Sequence, residues 1–510
     1  MSILEVSATR PALEALLASD VEVDEAIAEL QAARLLADNE LAFASSLMRE
    51  AAYATLSEDD RRLGHELAAE WLAQHGGCSA IHLAEHWSLA RRPEEALAHL
   101  EKATHAAFAA GDWDLTADLV ARAKPLATDS KRVLPLELLA HEALAWSGRH
   151  VELVEAGEHL LPRLPRGGEA WSRVAAGLLL AGGNALSTQR AFGLLTQIAS
   201  SPLPDAPTLS HVRAYAWAAA VCWRAGGVPI ARPLDVQLTA ALPRVDDSAR
   251  IGWIELASVY RWRFLDRDAA AALQHGERAV LELERSDDRF AITLALAEVG
   301  YEHLTLGRPD LAMGRLVDSR ELSRRMRIGS IEAYAAAVAG LAASRDGRAE
   351  EARERASEAI GLADATRGAI ARAYARHLDA IRAVEAHAPA EALARIEELR
   401  ALEGDLPLPH RPWIDATEAR ARLALGERRS ALELARRAVG ALESHHPPHL
   451  AELWVLRAHA ETSAAVAAED GAFAEEAERA EEALRERGRN RAAALPERFR
   501  ASFLARPELA

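Results

Sequence analysis

The chain has 510 residues, half of them apolar, and its 77 acidic against 60 basic residues give a formal charge of -17. This acidic balance argues against nucleic acid or an anionic membrane surface as the main partner. The two cysteines, Cys78 and Cys222, lack metal-ligand spacing, and neither a signal peptide nor a membrane-length apolar run is evident. We therefore expect a soluble, cytoplasmic protein with free thiols.

The first 75 residues predict helices that are unlike the rest of the chain. Residues 23–38 are amphipathic, a short strand is predicted over 41–43, and another helix covers 43–56. A third helix, 57–74, opens on Ser-Glu-Asp-Asp, an N-cap residue followed by acids in the first turn. A Gly-Gly pair that begins at Gly76 ends it.

This segment resembles a junction in bacterial signal-transduction ATPases of the STAND class, which include LuxR-type activators and multidomain serine/threonine kinases. There a winged-helix-like module ends in F-x-H-x-L-x-R-E-x-A-Y and leads into tetratricopeptide (TPR) repeats. The matching residues are Phe43, Leu47, Arg49, Glu50, Ala52, Tyr53, Arg61, Arg62, Leu63, His65, His86 and Trp87. The resemblance implies a chain that begins inside the winged-helix-like module, without the kinase and ATPase domains of its relatives. Ser45 stands where those regulators have histidine, which weakens the expectation of nucleotide-linked switching.

From about residue 70 onward the sequence repeats with a spacing of 39 to 41 residues. An alanine opens the second helix of successive helix pairs, at Ala191, Ala231, Ala271, Ala312, Ala352, Ala392 and Ala431. Turns rich in Gly, Asp and Pro come shortly before most of them, at 225–227, 265–268, 306–310, 345–348 and 425–429. Apolar residues recur at helical spacing between the turns, and a small residue lets the two helices approach closely.

The pattern resembles the TPR repeat, although the aromatic and proline positions of that family are poorly kept and the period is longer. Its small and turn positions fall on Gly300, Gly307, Ala312, Gly340, Gly347 and Ala352. The resemblance implies an all-α protein, a right-handed α-solenoid with a concave face. We predict a partial winged-helix-like module at 1–75, the solenoid at 76–490 with a capping helix over 474–490, and a tail at 491–510.

Motifs for nucleotide chemistry are absent from the sequence. The three lysines, Lys102, Lys124 and Lys131, do not lie in a glycine-rich phosphate loop, and the HRD and DFG motifs of kinases are missing. We therefore predict no catalytic residues, no cofactor and no phosphotransfer by this chain.

Two histidine clusters have sequence patterns that could bind a metal, but their surroundings in the sequence argue against a metal site. His82, Glu85 and His86 have the H-x-x-E-H order of an inverted zinc peptidase helix. The strands that such a fold requires do not follow, so we keep a metallopeptidase only as a third hypothesis. The His-His-Pro-Pro-His run at 445–449 is predicted as a solvated loop. We predict no metal site.

Two columns of large side chains mark one face of the first helices. The first column is Trp253, Leu294, Tyr334, Tyr374 and Trp413, and the second, seven residues later, is Tyr260, Tyr301, Leu341, Ile381 and Arg420. Seven residues make two helical turns, so both columns share a face. Such positions line the peptide groove of TPR-like arrays, and we predict partner contacts at Trp253, Tyr260, Tyr301, Tyr334, Tyr374 and Trp413. The alternative is packing on the previous repeat.

The sequence thus predicts a non-catalytic interaction or sensor module of a STAND- or kinase-associated regulator. Its expected partner is a protein or peptide, with a kinase or ATPase domain in trans as one option, and neither nucleic acid nor a membrane. The alternative is the inducer-binding part of a LuxR-type transcriptional regulator that lacks its DNA-binding domain.

Overall fold

The architecture comes from a computed structural model of the chain. It describes residues 2–4, 9–17, 22–37, 41–76, 78–127, 129–181, 186–286, 288–326, 328–366, 369–402, 410–442 and 449–509. Contacts within the chain divide it into two compact units, Met1–Leu144 and Ala145–Ala510. Across the described ranges, no helix is both long and apolar enough to cross a membrane.

The first unit is built from helices. They are α1 Arg10–Leu16, α2 Val23–Ala32, α3 Ser46–Thr55, α4 Glu58–His75, α5 Ala80–Leu89, α6 Pro93–Ala109, α7 Trp113–Ala123 and α8 Ser130–Ser147, which runs across the unit boundary. The predicted strand over 41–43 is wrong, because the backbone there forms only an isolated β-bridge between Leu36 and Phe43. The predicted cap of α4 is confirmed, since Ser57 Oγ accepts a hydrogen bond from the Asp60 amide at 3.2 Å.

One core runs through the N-terminal helices of the first unit and on into the α5–α6 hairpin. Leu4, Leu13, Leu72, Trp87 and Ala96 belong to the same cluster of buried side chains. The predicted domain limit after residue 75 therefore falls within a shared core. The winged-helix interpretation of residues 1–75 stays a prediction.

The second unit is an array of antiparallel helix hairpins, which confirms the predicted all-α solenoid of TPR-like repeats. Its first helices are α10 Glu169–Ala181, α12 Leu209–Arg224, α14 Ser248–Arg261, α16 Arg289–Thr305, α18 Gly329–Arg345, α20 Ala369–Glu385, α22 Arg411–Ala424 and α24 His449–Ala467. Its second helices are α9 His150–Leu160, which follows α8, and then α11 Thr188–Ala199, α13 Val228–Ala241, α15 Ala269–Ser286, α17 Pro309–Arg325, α19 Ala349–Thr366, α21 Pro389–Arg400, α23 Arg428–Gly440 and α25 Ala474–Ala494. The short helix α26, Glu497–Leu504, follows them.

A residue with left-handed backbone conformation ends the first helix of each hairpin along most of this array. These residues are Gly226, Arg267, Gly307, Gly347, His387 and Gly426. They confirm the predicted turns, because a positive φ stops one helix and lets the chain reverse into the next. Arg267, at φ 53°, and His387, at φ 55°, adopt this conformation in spite of their Cβ atoms.

Five of the seven column alanines lie where the two helices of a hairpin come together, whereas Ala191 and Ala271 are only half-buried. Ala231, Ala312, Ala352, Ala392 and Ala431 are almost completely buried. Space is equally tight at Gly300, where an added Cβ would approach Leu316 Cγ to 2.6 Å. Small side chains at these positions are therefore a packing requirement.

The column shifts by one residue in the α14–α15 hairpin. Ala271 is only half-buried there, and Ala272 takes the buried position. The cause is a π-helical turn over Trp262–Asp266, which adds one residue before α15 begins.

We expect His387→Gly to stabilise the protein by about 0.5–1 kcal/mol, because glycine adopts the left-handed conformation without a Cβ penalty. The imidazole is exposed, and no side-chain hydrogen bond of His387 is seen among the described residues. Urea denaturation followed by circular dichroism measures the change. At the equivalent turn position, Gly347→Ala should lower the stability by a similar amount, and an unchanged or lower stability of the His387 variant would show that its backbone is not strained.

Candidate functional site

The first helices of the second unit face one another across the inside of the array. The guanidinium of Arg224, at the end of α12, lies 5.3 Å from the ring centre of Tyr374 on α20, four hairpins further along the chain. In a straight stack each hairpin contacts only its neighbours, so two helices four hairpins apart would not meet. The array therefore curves until its first helices enclose an inner space.

Charged and aromatic side chains from five first helices, from the π-helical turn and from the residue before α22 line this space. We call them the inner cluster: Arg224, Tyr260, Arg263, Glu298, Tyr301, Tyr334, Tyr374 and His410. They come from consecutive hairpins between α12 and α22, so residues far apart in the sequence meet only in the folded array.

Arg263, on the π-helical turn, is the centre of the inner cluster. Its Nη1 donates to Glu298 Oε2 at 2.5 Å and its Nε donates to Glu302 Oε1 at 2.6 Å, and all three side chains are buried. The guanidinium also lies 4.2 Å from the ring centre of Tyr301, close enough for a cation–π interaction. This network joins α14 to α16.

Two tyrosines continue the cluster toward solvent. Tyr334 and Tyr374 are half-buried, and their rings meet edge to face with centres 5.6 Å apart. Tyr334 Oη donates to Glu298 Oε2 at 3.3 Å, and Tyr374 Oη lies 2.9 Å from His410 Nε2. The rings are thus held in place while part of each surface stays accessible.

The electrostatics of the cluster favour a cation at Arg224. Burial opposes its charge, but the attraction of Tyr374, Tyr260 and Glu298 raises its pKa above the usual value. Burial lowers the pKa of His410 to about 3, with Arg224 as the second cause, so this imidazole is neutral at physiological pH. Arg224 forms no ion pair with any carboxylate of the described residues, and its side chain is only half-buried. It is therefore a positive group that faces the inner space without a direct carboxylate partner among the described residues.

The six sequence-predicted contact residues fall into two environments. Trp253, Tyr260, Tyr301 and Trp413 are almost completely buried, as packing residues are. The Trp253 indole, for example, donates to Asp288 Oδ2 at 2.9 Å. Only Tyr334 and Tyr374 keep accessible surface, and their role as partner contacts stays a prediction.

Four residues of the inner cluster were not predicted from the sequence: Arg224, Arg263, Glu298 and His410. A signal for Glu298 was available, because it is the first acid after the run 290–297 near the start of α16, in which Thr293 is the only polar residue. A charged residue on a helix that is buried all round needs a buried partner. Arg224 gave no such signal, because its neighbours come from distant hairpins.

Four of the residues that resemble the STAND junction form a connected cluster in the first unit, whereas Leu47 and Leu63 are exposed. Tyr53 Oη lies 2.9 Å from His65 Nε2, and His65 Nδ1 lies 2.9 Å from His86 Nδ1. Arg61 donates to the Tyr53 and Ala54 carbonyls at 3.1 and 2.9 Å, which caps the C-terminus of α3. At the other end of α3, Ser45 Oγ accepts from the Met48 amide at 3.2 Å, so the serine serves as an N-cap. The motif thus ties α3, α4 and α5 together.

The zinc-peptidase pattern in α5 does not come together as a metal site. His82 contacts Ser79, Glu85 pairs with Arg122, and His86 contacts His65. No group of three potential ligands among His, Cys, Asp and Glu is found within the described part of the chain. The histidine run at 445–449 lies outside the described residues, apart from the backbone of His449.

We expect Tyr301→Ala to lower the free energy of unfolding by about 3–5 kcal/mol, because it removes a fully buried ring and the cation–π contact of Arg263. Chemical denaturation measures this loss. Leu311→Ala on the exposed side of α17 is the control and should cost less than about 0.5 kcal/mol. A loss as small as that of the control would contradict the packing role.

The junction cluster should make stability depend on pH. Burial, with His86 as the second cause, lowers the pKa of His65 to about 4. The unfolded state therefore binds a proton that the native state does not, and stability is lost as the pH falls from about 6.5 to 4. His65→Gln removes this titration, so the stability of the wild type relative to the variant should fall by about 2 kcal/mol between pH 7 and pH 4.5.

The control for this pH experiment is His105→Gln, since His105 is exposed on α6 in the same unit. Urea denaturation at the two pH values gives both differences. Equal pH dependence in the wild type and the His65 variant would show that His65 does not titrate in this window.

Several solved structures are similar to this chain at low identity. A Rap protein complexed with Competence and Sporulation Factor is 9% identical, with 72% of this chain and 94% of that chain covered and a TM-score of 0.45. A Signal Transduction ATPase with Numerous Domains (STAND) protein with a tetratricopeptide repeat sensor from Pyrococcus horikoshii is 10% identical, with 86% and 62% covered and a TM-score of 0.38. Yeast Tom70 is 11% identical, with 88% and 95% covered and a TM-score of 0.35. No family model and no curated protein sequence matches the chain.

Proposed function

We propose that the chain is a non-catalytic interaction module whose inner face binds a peptide or an extended protein segment. The observation that carries this proposal is the accessible part of the inner cluster, formed by Arg224, Tyr334 and Tyr374. It combines a cation that forms no direct ion pair with a carboxylate of the described residues and two fixed aromatic rings on the inside of a curved helical array. Rigid aromatic side chains and arginine supply most of the binding energy in protein interfaces.

The chemistry of these three residues favours a segment that carries a carboxylate. The guanidinium of Arg224 offers several hydrogen-bond donors to one acceptor group, and its setting against the Tyr374 ring limits competition from water. The rings of Tyr334 and Tyr374 provide apolar surface for neighbouring side chains of the same segment. The buried Nδ1 of His410 has no hydrogen-bond partner in the described structure.

We further propose that this module is the sensor part of a cytoplasmic regulator of the STAND or kinase-associated kind. Support comes from the junction motif, whose Tyr53, Arg61, His65 and His86 contact one another as a single joint. A kinase or ATPase domain in trans is then the partner whose activity the module would control. No observation favours the inducer-binding alternative of a LuxR-type regulator, and we do not propose it.

A binding experiment with defined peptides tests the proposed function. Fluorescently labelled dodecapeptides of acidic, neutral and basic composition are titrated into the full chain, and fluorescence polarisation gives the affinity. We expect the acidic class to bind best. Arg224→Ala and Tyr374→Ala should each weaken binding by about tenfold or more, since a hydrogen bond to a charged group contributes about 1.5–3 kcal/mol.

The matched control is Arg232→Ala, because Arg232 is an exposed arginine on α13 of the same hairpin as Arg224. It should leave the affinity unchanged. Melting curves of all three variants separate lost binding from lost folding. If no peptide of any class binds, or if the Arg224 and Arg232 variants bind equally well, the inner face is not the binding site.

A further inference from the structure

A cavity of about 140 Å³, partly open to solvent, lies within the second unit. Its wall is formed by the α14–α15 turn, the first turn of α24, the end of α25 and the residues around α26. The residues described in this wall include no member of the inner cluster. A protein cavity of about 150 Å³ holds a molecule of the size of benzene. The space is therefore large enough for a small organic ligand.

Three guanidinium groups share one carboxylate, that of Glu452, at the wall of this cavity. Its Oε1 accepts a hydrogen bond from Arg267 Nη1 at 3.0 Å and also pairs with Arg487. Its Oε2 accepts a hydrogen bond from Arg491 Nε at 3.1 Å. Glu452 is almost completely buried, whereas Arg267 and Arg491 keep some accessible surface. Arginine is always charged, so one carboxylate cannot balance these three cations.

The charges around this group leave one positive charge in excess. Asp268, also in the wall, accepts hydrogen bonds from two amides at the start of α15, at 3.0 Å each, in the manner of an N-cap. Asp266 pairs with Arg261 at 3.0 Å, and Arg506 pairs with Glu508 at 2.9 Å. The charged lining residues and their direct ion-pair partners are thus five arginines and four acids, namely Arg261, Arg267, Arg487, Arg491 and Arg506 against Asp266, Asp268, Glu452 and Glu508.

Arg267 occupies a turn position that suits glycine better. Four equivalent turns of this unit have glycine in the left-handed conformation, at Gly226, Gly307, Gly347 and Gly426. A side chain in this conformation costs free energy, and such strain is typical of ligand-binding and other functional positions. The turn places the Arg267 guanidinium in the cavity wall, where it donates two of its five possible hydrogen bonds to described residues. Its other N–H groups are donors for a further acceptor.

The rest of the described wall is apolar. It consists of Ala269, Leu453, Ala494, Leu495 and Phe503. Ligand sites typically combine an apolar lining with a few polar groups that fix the orientation of the ligand. A ligand with one anionic group and a short apolar part would contact both kinds of wall.

We propose that this cavity binds a small organic anion of about the size of benzoate, with its carboxylate held by Arg267 and Arg491. The planar guanidinium group binds a carboxylate through two parallel hydrogen bonds. A single negative charge balances the excess charge of the wall, whereas a phosphate group carries nearly two at neutral pH. The site lies apart from the inner face, and the inference does not depend on the proposed function.

Calorimetric titration of the full chain tests the class of ligand. The probes are benzoate, its neutral analogue benzamide, and inorganic phosphate, all at the same ionic strength. We expect benzoate to bind at least about tenfold more tightly than either of the others, because only benzoate has both the charge and the apolar ring. Benzoate should also raise the melting temperature of the chain, since it binds the folded state.

Variants of the wall test the position of the site. Arg267→Gly removes a guanidinium and relaxes the left-handed turn, so it should weaken benzoate binding at least about tenfold. His387→Gly makes the same backbone change at an equivalent turn outside the cavity and should bind benzoate like the wild type. Ala494→Phe fills the cavity from an exposed position without a change of charge and should abolish binding. Its control is Ala493→Phe, which is exposed and outside the described wall.

Three results would overturn the proposal. The first is the absence of benzoate binding tighter than about 10 mM. The second is binding of benzamide or phosphate as tight as that of benzoate, since the site would then not select an organic anion. The third is unchanged benzoate binding by the Ala494→Phe variant, which would place the ligand elsewhere. Circular dichroism shows which variants are folded, and the Ala494 and Ala493 pair decides the position of the site if Arg267→Gly does not fold.

Discussion

One buried guanidinium, that of Arg263, joins two neighbouring hairpins of the second unit, because it is held between Glu298 and Glu302. Burying three ionisable groups costs free energy unless each charge is paired and hydrogen-bonded. Removing one partner of a buried ion pair typically lowers the free energy of unfolding by about 3–5 kcal/mol. Burial raises the pKa of Glu302 to about 7 even though Arg263 opposes this shift. Because Arg263 belongs to one hairpin and both acids to the next, the network fixes the angle between neighbouring repeats. Tyr334 extends it to a third hairpin through Glu298.

Local spacing in the sequence was enough to predict the repeats. The alanine column and the glycine turns act within one hairpin, where residues close in sequence are also close in space. The strand over 41–43 was wrongly predicted because three apolar residues suggest an extended backbone without showing a partner. In the structure Phe43 pairs with Leu36 through a single β-bridge, and this bridge is isolated rather than part of a strand.

The residues of the inner cluster could not be predicted from local sequence spacing. The contact between Arg224 and Tyr374 is set by small rotations that add up over four hairpins, and no single repeat encodes it. The two aromatic columns show the same limit. Tyr301 and Tyr334 occupy similar helix faces, yet Arg263 covers the ring of the first, whereas the second is only half-buried. Whether such a residue packs or stays accessible depends on its position along the curve.

The π-helical turn at Trp262–Asp266 has a consequence for how repeat sequences are aligned. Its extra residue places the buried alanine at position 272, whereas a period of about 40 counted forward from Ala231 gives 271 and counted back from Ala312 gives 272. An alignment that counts forward with a constant period therefore assigns the wrong residue to this helix crossing, and the mismatch begins next to Arg263. The extra residue forms a π-helical bulge at the end of α14, and the side chain of Arg263 on this bulge lies in the inner cluster. In this solenoid, the small irregularity in repeat length marks the hairpin whose charged side chain enters the inner cluster.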